Sequence, residues 1–88
     1  MPVTGGGSGS APLSIIYVPA TAGLVTSVPI LYGKTISLLL RGGLGTDGVI
    51  TVGPIVGGEV LFDNAATTLT VAPGYEFIGG EILTIQYF

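Results

Sequence analysis

Cysteine, histidine and tryptophan are all missing from the 88 residues. Without thiols or imidazoles, disulfide frameworks, Cys/His metal sites and Cys or His nucleophile chemistry are excluded. Charge is nearly as scarce. Lys34, Arg41, Asp47, Glu59, Asp63, Glu76 and Glu81 make up the whole complement, 8% of the chain, where an average soluble chain of this length carries about 22. Two basic residues and a net charge of −3 leave no electrostatic footprint for nucleic acid. Long apolar runs are also absent: Gly or Pro interrupts each one, and the longest clean stretch, Ile36 to Leu40, is strand-sized, so no membrane span is expected. Met1-Pro2-Val3-Thr4-Gly5 has no basic region leading into an apolar core, so no secretory signal is expected. The lack of cysteine fits synthesis in the cytoplasm.

The chain is nevertheless apolar, at 48% of residues. A folded monomer of this mass exposes roughly 4,800 Å², more than seven charged side chains can cover. Either hydroxyls and backbone amides solvate the exterior, or much of it lies against other chains. Obligate interfaces resemble a core cut in half and are depleted of charge. A domain this small without disulfides gains from such packing. An obligate assembly is the expectation.

Residues 5–10, Gly-Gly-Gly-Ser-Gly-Ser, lose too much entropy on ordering to fold alone. Residues 1–12 are therefore read as a flexible N-terminal arm, either a plain tail or an arm that docks on a neighbouring subunit. Residues 13–88 form one domain. Val, Ile and Thr supply 28 residues, against 16 Gly and 6 Pro, a balance of pleated-sheet formers and turn formers. Strands are predicted at Leu13–Val18, Leu24–Leu31, Lys34–Arg41, Val49–Val52, Glu59–Phe62, Thr67–Val71 and Glu81–Tyr87. Pro29 makes the second an edge or bulged strand. Asp47-Gly48 is the better tight-turn signal and Asp63-Asn64 the weaker. The fold class is all-β, a small antiparallel sandwich or barrel of jelly-roll type.

Alternation places Ile36, Leu38 and Leu40 on one face, opposite Thr35, Ser37 and Leu39. It places Leu83, Ile85 and Tyr87 together, opposite Ile82, Thr84, Gln86 and Phe88. The first face of each strand suits a core, and the mixed second face suits subunit contacts. There is also an echo. Ile50-Thr51-Val52-Gly53-Pro54 precedes Val56-Gly57-Gly58-Glu59-Val60-Leu61, and Leu69-Thr70-Val71-Ala72-Pro73 precedes Ile78-Gly79-Gly80-Glu81-Ile82-Leu83. It reads as two hairpin-like units giving pseudo-symmetry within one sandwich.

No pattern carries convincing chemistry. Gly43-Leu44-Gly45-Thr46-Asp47-Gly48 matches G-x-G-x-x-G but leads into a strand-like segment rather than a helix, so it reads as a hairpin loop. Glu59 and Glu81 could form a carboxylate pair, yet strand-edge gatekeeping suits them better. Asp47, Asp63 and Asn64 lack calcium-loop spacing, and Lys34 with Ser37 lacks an oxyanion scaffold. Tyr17, Tyr32, Tyr75, Tyr87 and Phe88 could build a sugar platform, though packing explains them better. No enzyme, no catalytic residue, no metal and no cofactor are expected.

In its Gly/Ser start, its charge-poor Thr/Val/Ile/Gly strands and its ending Gly79-Gly80-Glu81-Ile82-Leu83-Thr84-Ile85-Gln86-Tyr87-Phe88, the chain resembles small structural proteins of tailed-virus particles, of head-decoration or head-fibre type. The resemblance is one of composition. It implies a β-sandwich or barrel subunit, often a trimer, that binds copies of itself and virion proteins such as the major capsid protein, with a terminal arm on the shell and localisation in the virion. The residues expected at such contacts are Leu39, Ile82, Phe88, Val25, Val28 and Ile30. Two other classes stay open: a carbohydrate- or surface-binding module using Tyr75 and the 72–80 loop, and a self-assembling fibre subunit.

Overall fold

The computed structural model describes residues 12–88, so the expected arm lies outside the described residues except for Pro12. Eight strands are formed: β1 Leu13–Tyr17, β2 Val25–Ser27, β3 Ile36–Arg41, β4 Leu44–Gly45, β5 Val49–Ile50, β6 Val60–Asp63, β7 Thr68–Val71 and β8 Leu83–Tyr87, with a 3₁₀ turn at Pro29–Leu31. Two four-stranded sheets result, ordered β1-β8-β3-β4 and β2-β7-β6-β5. All pairs are antiparallel except β5–β6, which is parallel. The chain is therefore the expected all-β sandwich.

A long hairpin rolled up on itself pairs its first strand with its last and its second with its last but one, the jelly-roll principle. The pairs β1–β8 and β2–β7 follow it. The inner strands do not: β3 turns straight back into β4, and β6 into β7. Of the four connections that cross between the sheets, 18–24 and 72–82 are held to each other by backbone hydrogen bonds. Gly23 and Phe77 exchange bonds of 3.1 and 2.8 Å, and Gly80 N–H donates to the Pro19 carbonyl at 2.9 Å.

The core lies between the sheets. Leu39, Leu83, Ile85 and Tyr87 come from one, Val60, Phe62, Leu69 and Val71 from the other, and Val28, Leu31 and Phe77 from the connections. No polar or charged side chain is buried among the described residues. Burial of apolar surface thus carries the stability, at roughly 25 cal/mol per Å².

Three expectations are corrected. The tight hairpin turn is Gly42-Gly43, not Asp47-Gly48. Arg41 and Leu44 pair across it, and its two central residues have φ of 59° and 85°, the double positive that only glycine takes easily. That turn creates β4 inside a stretch read as a connector. The echo is not a pair of hairpins. Its first copy joins two strands that pair in parallel, and its second carries the chain from one sheet to the other. What the copies share is a turn: Val56 N–H donates to Glu59 Oε1 at 2.9 Å, and Ile78 N–H to Glu81 Oε1 at 2.6 Å. Glu59 and Glu81 are turn caps rather than edge gatekeepers.

The third correction concerns β3. Ile36 pairs with Tyr87, but Leu38 pairs with Gln86, so Ser37 is an extra residue in a β-bulge. Its hydroxyl donates to the Gln86 carbonyl at 3.2 Å. One inserted residue inverts the alternation beyond it. Leu39 therefore enters the core at 1% exposure, while Leu38, expected inside, is 40% exposed. Leu39→Ala should cost about 2–5 kcal/mol and Leu38→Ala less than about 1 kcal/mol, read as urea midpoints. The reverse order would mean that β3 runs without the bulge.

Candidate assembly surface

Residues directly opposite in a sheet share a face. In the first sheet, Ile15, Ile85 and Leu39 form one inward row, and Tyr17, Leu83 and Arg41 another. The rows between them face outward: Ile16, Thr84 and Leu40 in one, Ser14, Gln86 and Leu38 in the next. Phe88 extends this face, since it exchanges backbone bonds of 2.8 and 2.9 Å with Thr35, and Ile82 extends it at the other end through its carbonyl bond from Gly42. Ile16 is 70% exposed, Phe88 55% and Ile82 51%. No ionisable side chain occurs in these rows.

The second sheet turns outward Val25, Thr70, Leu61 and Ile50, then Ser27, Thr68 and Asp63. Asp63 stands at the hairpin end, where its carboxylate accepts the Ala65 and Ala66 N–H groups at 3.0 and 3.1 Å. All seven charges of the chain thus sit in turns or at strand ends. Threonine and glutamine do the wetting of the sheets.

The most connected of those charges is Arg41, the last residue of β3. It pairs two-pronged with Glu81, Nε to Oε2 at 3.0 Å and Nη2 to Oε1 at 2.9 Å. It also donates to the Tyr75 and Glu76 carbonyls at 2.6 and 2.9 Å, and lies 4.8 Å from the centre of the buried Phe77 ring. Such charge-assisted, forked bonds are the strong ones. They fasten the 72–80 loop onto the end of the first sheet. Arg41 beside Glu81 holds that carboxyl below its ordinary value of 4.5 against the opposing effect of burial, and the Ile78 N–H adds to the lowering. Glu76 is lowered too, by its own backbone N–H and that of Gly74.

The six residues expected at contacts do not form one patch. Ile82 and Phe88 lie on the outer face of the first sheet, Val25 on that of the second, and the exposed Ile30 in the 3₁₀ turn. Leu39 and Val28, each 1% exposed, belong to the core and are withdrawn from the surface. The bulge turns Leu39 inward. Val28 leaves the strand ahead of Pro29 and tucks under the 3₁₀ turn, where its carbonyl accepts the Leu31 N–H. Ile16 and Leu38 were missed as surface residues. The alternation of Leu13, Ile15 and Tyr17 against Ser14 and Ile16 signals the first of these; nothing in the sequence signals the second.

The other candidates are dispersed or committed. Asp47 Oδ2 accepts the Gly58 N–H at 2.9 Å, and Asn64 donates to the Lys34 carbonyl at 3.4 Å. Among the described residues no three acidic side chains converge as a metal site would need. Tyr87 is buried and Tyr17 half-buried, while Tyr32, Tyr75 and Phe88 are exposed on separate segments. Tyr75 lines a shallow depression of about 270 Å³ with Arg41, Leu44, Thr46 and Asp47. No helix among the described residues is long and apolar enough to cross a membrane. No protein family, curated protein or solved structure matches the chain.

Two outcomes test the Arg41 tie. Arg41→Met should cost about 2 kcal/mol or more, since several charge-assisted bonds go at once. A group whose folded pKa is depressed contributes stability that is complete above its ordinary value and lost as pH falls through the folded one. Glu81→Gln should therefore lower the urea midpoint at neutral pH and flatten its decline in acid below the ordinary glutamate value. An acid limb unchanged from the parent would rule the tie out as its source.

Proposed function

We propose that the chain is a non-enzymatic structural subunit. It assembles with copies of itself and with other proteins of a tailed-virus particle, the major capsid protein among them, and so decorates or stabilises that particle. The observation that carries the assembly reading is the outer face of the first sheet: Ile16, Leu38, Leu40, Ile82 and Phe88 among uncharged polar residues, with no ionisable side chain between them. Charge depletion combined with exposed apolar side chains is the mark of a surface that another chain covers. Placement in a virion rests on the resemblance of composition, from the Gly/Ser start to the charge-poor strands.

Size sets a further condition. Four strands about 4.8 Å apart and roughly five residues long at about 3.4 Å each present a flat area of about 300 Å². A stable interface takes about 800 Å² from each partner. One sheet face by itself falls short, so contact must extend to an edge, a turn or the second sheet.

Carbohydrate binding at Tyr75 is the second reading, favoured by the depression its ring lines. Against it, the Arg41 guanidinium and the Asp47 carboxylate are already bonded to the protein itself. A glycan array separates the two readings, because the assembly subunit should leave it blank.

Phe88→Glu and Leu38→Lys place charge on the uncharged face without touching the core. Each should lower the native mass measured by light scattering while leaving the thermal midpoint within a few degrees of the parent. A parent that is monomeric at all concentrations, or variants that keep the parent's oligomer mass, would overturn the assembly reading.

A further inference from the structure

The first sheet ends on one side in β4, of two residues, and on the other in β1, of five. The edges of the second sheet are β2, of three residues, and β5, of two. β1 is thus the longest edge strand among the described residues. The direction of its free groups follows from the neighbouring bonds. Phe88 and Ile82, which flank β8, turn their backbone groups toward Thr35 and Gly42 on the β3 side. Alternation then turns those of Leu83, Ile85 and Tyr87 toward β1, where they meet Tyr17, Ile15 and Leu13. The N–H and C=O groups of Ser14 and Ile16 therefore point outward from the sheet, and no described residue pairs with them.

Edges of this kind are normally blunted by charge, proline, a bulge or a cover. β1 carries no charge, no internal proline and no bulge. Pro12 removes one outward donor just before the strand and leaves its interior open. We propose that this edge pairs with β1 of a second copy of the chain, antiparallel about a twofold axis through Ile15. Ser14 then lies opposite Ile16 of the partner subunit, and the two exchange both backbone bonds; the axis repeats the exchange. The sequence Leu-Ser-Ile-Ile-Tyr is self-complementary in this register, because inward Leu13 meets the partner's Tyr17 and no like charges face each other.

This pairing rests on the assembly reading but on different atoms, backbone rather than side chain. It also extends contact to an edge, which brings the area nearer to the roughly 800 Å² that a stable interface takes from each partner. Two sheets joined edge to edge make one eight-stranded sheet and double the uncharged face to about 600 Å² of flat area. The competing occupant is the chain's own N-terminal segment. Gly-Gly-Gly-Ser-Gly-Ser at residues 5–10 has among the poorest compositions for a strand, so the second copy is favoured.

Ser14→Pro deletes an outward donor that the subunit itself does not use, and blocks the approach of a second edge. It should halve the native mass with the thermal midpoint retained, and Ser14→Ala should keep the parent's mass. A folded Ser14→Pro chain that keeps the parent's mass overturns the pairing. So does a parent with an odd number of copies, the trimer of the resemblance included. Should the proline variant fail to fold, hydrogen exchange on the full parent chain decides. The Ser14 and Ile16 amides should exchange about tenfold or more slowly in the oligomer than in the diluted monomer. Equal rates in both overturn the pairing. Protection that vanishes on removing residues 1–11 with no change of mass assigns the edge to the chain's own N-terminal segment and also overturns it. Loss of the edge pairing leaves the Phe88→Glu and Leu38→Lys results standing, whereas failure of those charge variants ends the assembly reading as a whole.

Discussion

The architecture hangs from two of the four connections that carry the chain between its sheets, 18–24 and 72–82. They run side by side, bonded through Gly23 and Phe77 and through Pro19 and Gly80. Because they are paired, the strands that enter and leave them are paired too, β1 with β8 and β2 with β7. Arg41 bolts the wider of the crossings to the end of β3. A small sandwich with no disulfide and no buried polar network has few other means of fixing how its sheets sit on each other, so one arginine carries much of that specification.

Where the charges went explains the surface. A chain of this size could spread seven ionisable groups over its exterior, but here nearly all are spent on backbone donors and acceptors: Asp47 on Gly58, Asp63 on Ala65 and Ala66, Glu59 on Val56, Glu81 on Ile78 and Arg41. Turns and strand ends consume the charge, and apart from Asp63 at the hairpin end of the second sheet the outward rows are left without it. The scarcity seen in the composition is therefore concentrated on the two broad faces, where association would use it.

Much of the fold was legible in the sequence. Branched residues between Gly and Pro mark seven of the eight strands, but the strand expected over Leu24–Leu31 stops at Ser27, and Pro29 opens a 3₁₀ turn instead of lying in an edge strand. Leu83, Ile85 and Tyr87 read correctly as core because β8 is central and regular. Most of the failures have one kind of cause. A bulge at Ser37 and a glycine turn at 42–43 are backbone events that hydrophobic pattern does not encode, and each moved a boundary or inverted a face. The surface suffered accordingly: Ile82 and Phe88, flanking regular β8, were found from alternation, while Leu39 and Leu38 exchanged places. Val28 was misplaced because the tuck ahead of Pro29 is set by tertiary packing, not by spacing.

Leu13 stands opposite Tyr87, so the sandwich begins and finishes at the same corner of the first sheet. A few residues linking Leu13 to Tyr87 would close this domain into a ring, and fresh ends could be opened at the 64–67 turn without cutting a strand. Chain that runs on before Leu13 or after Tyr87 leaves the domain from that one corner.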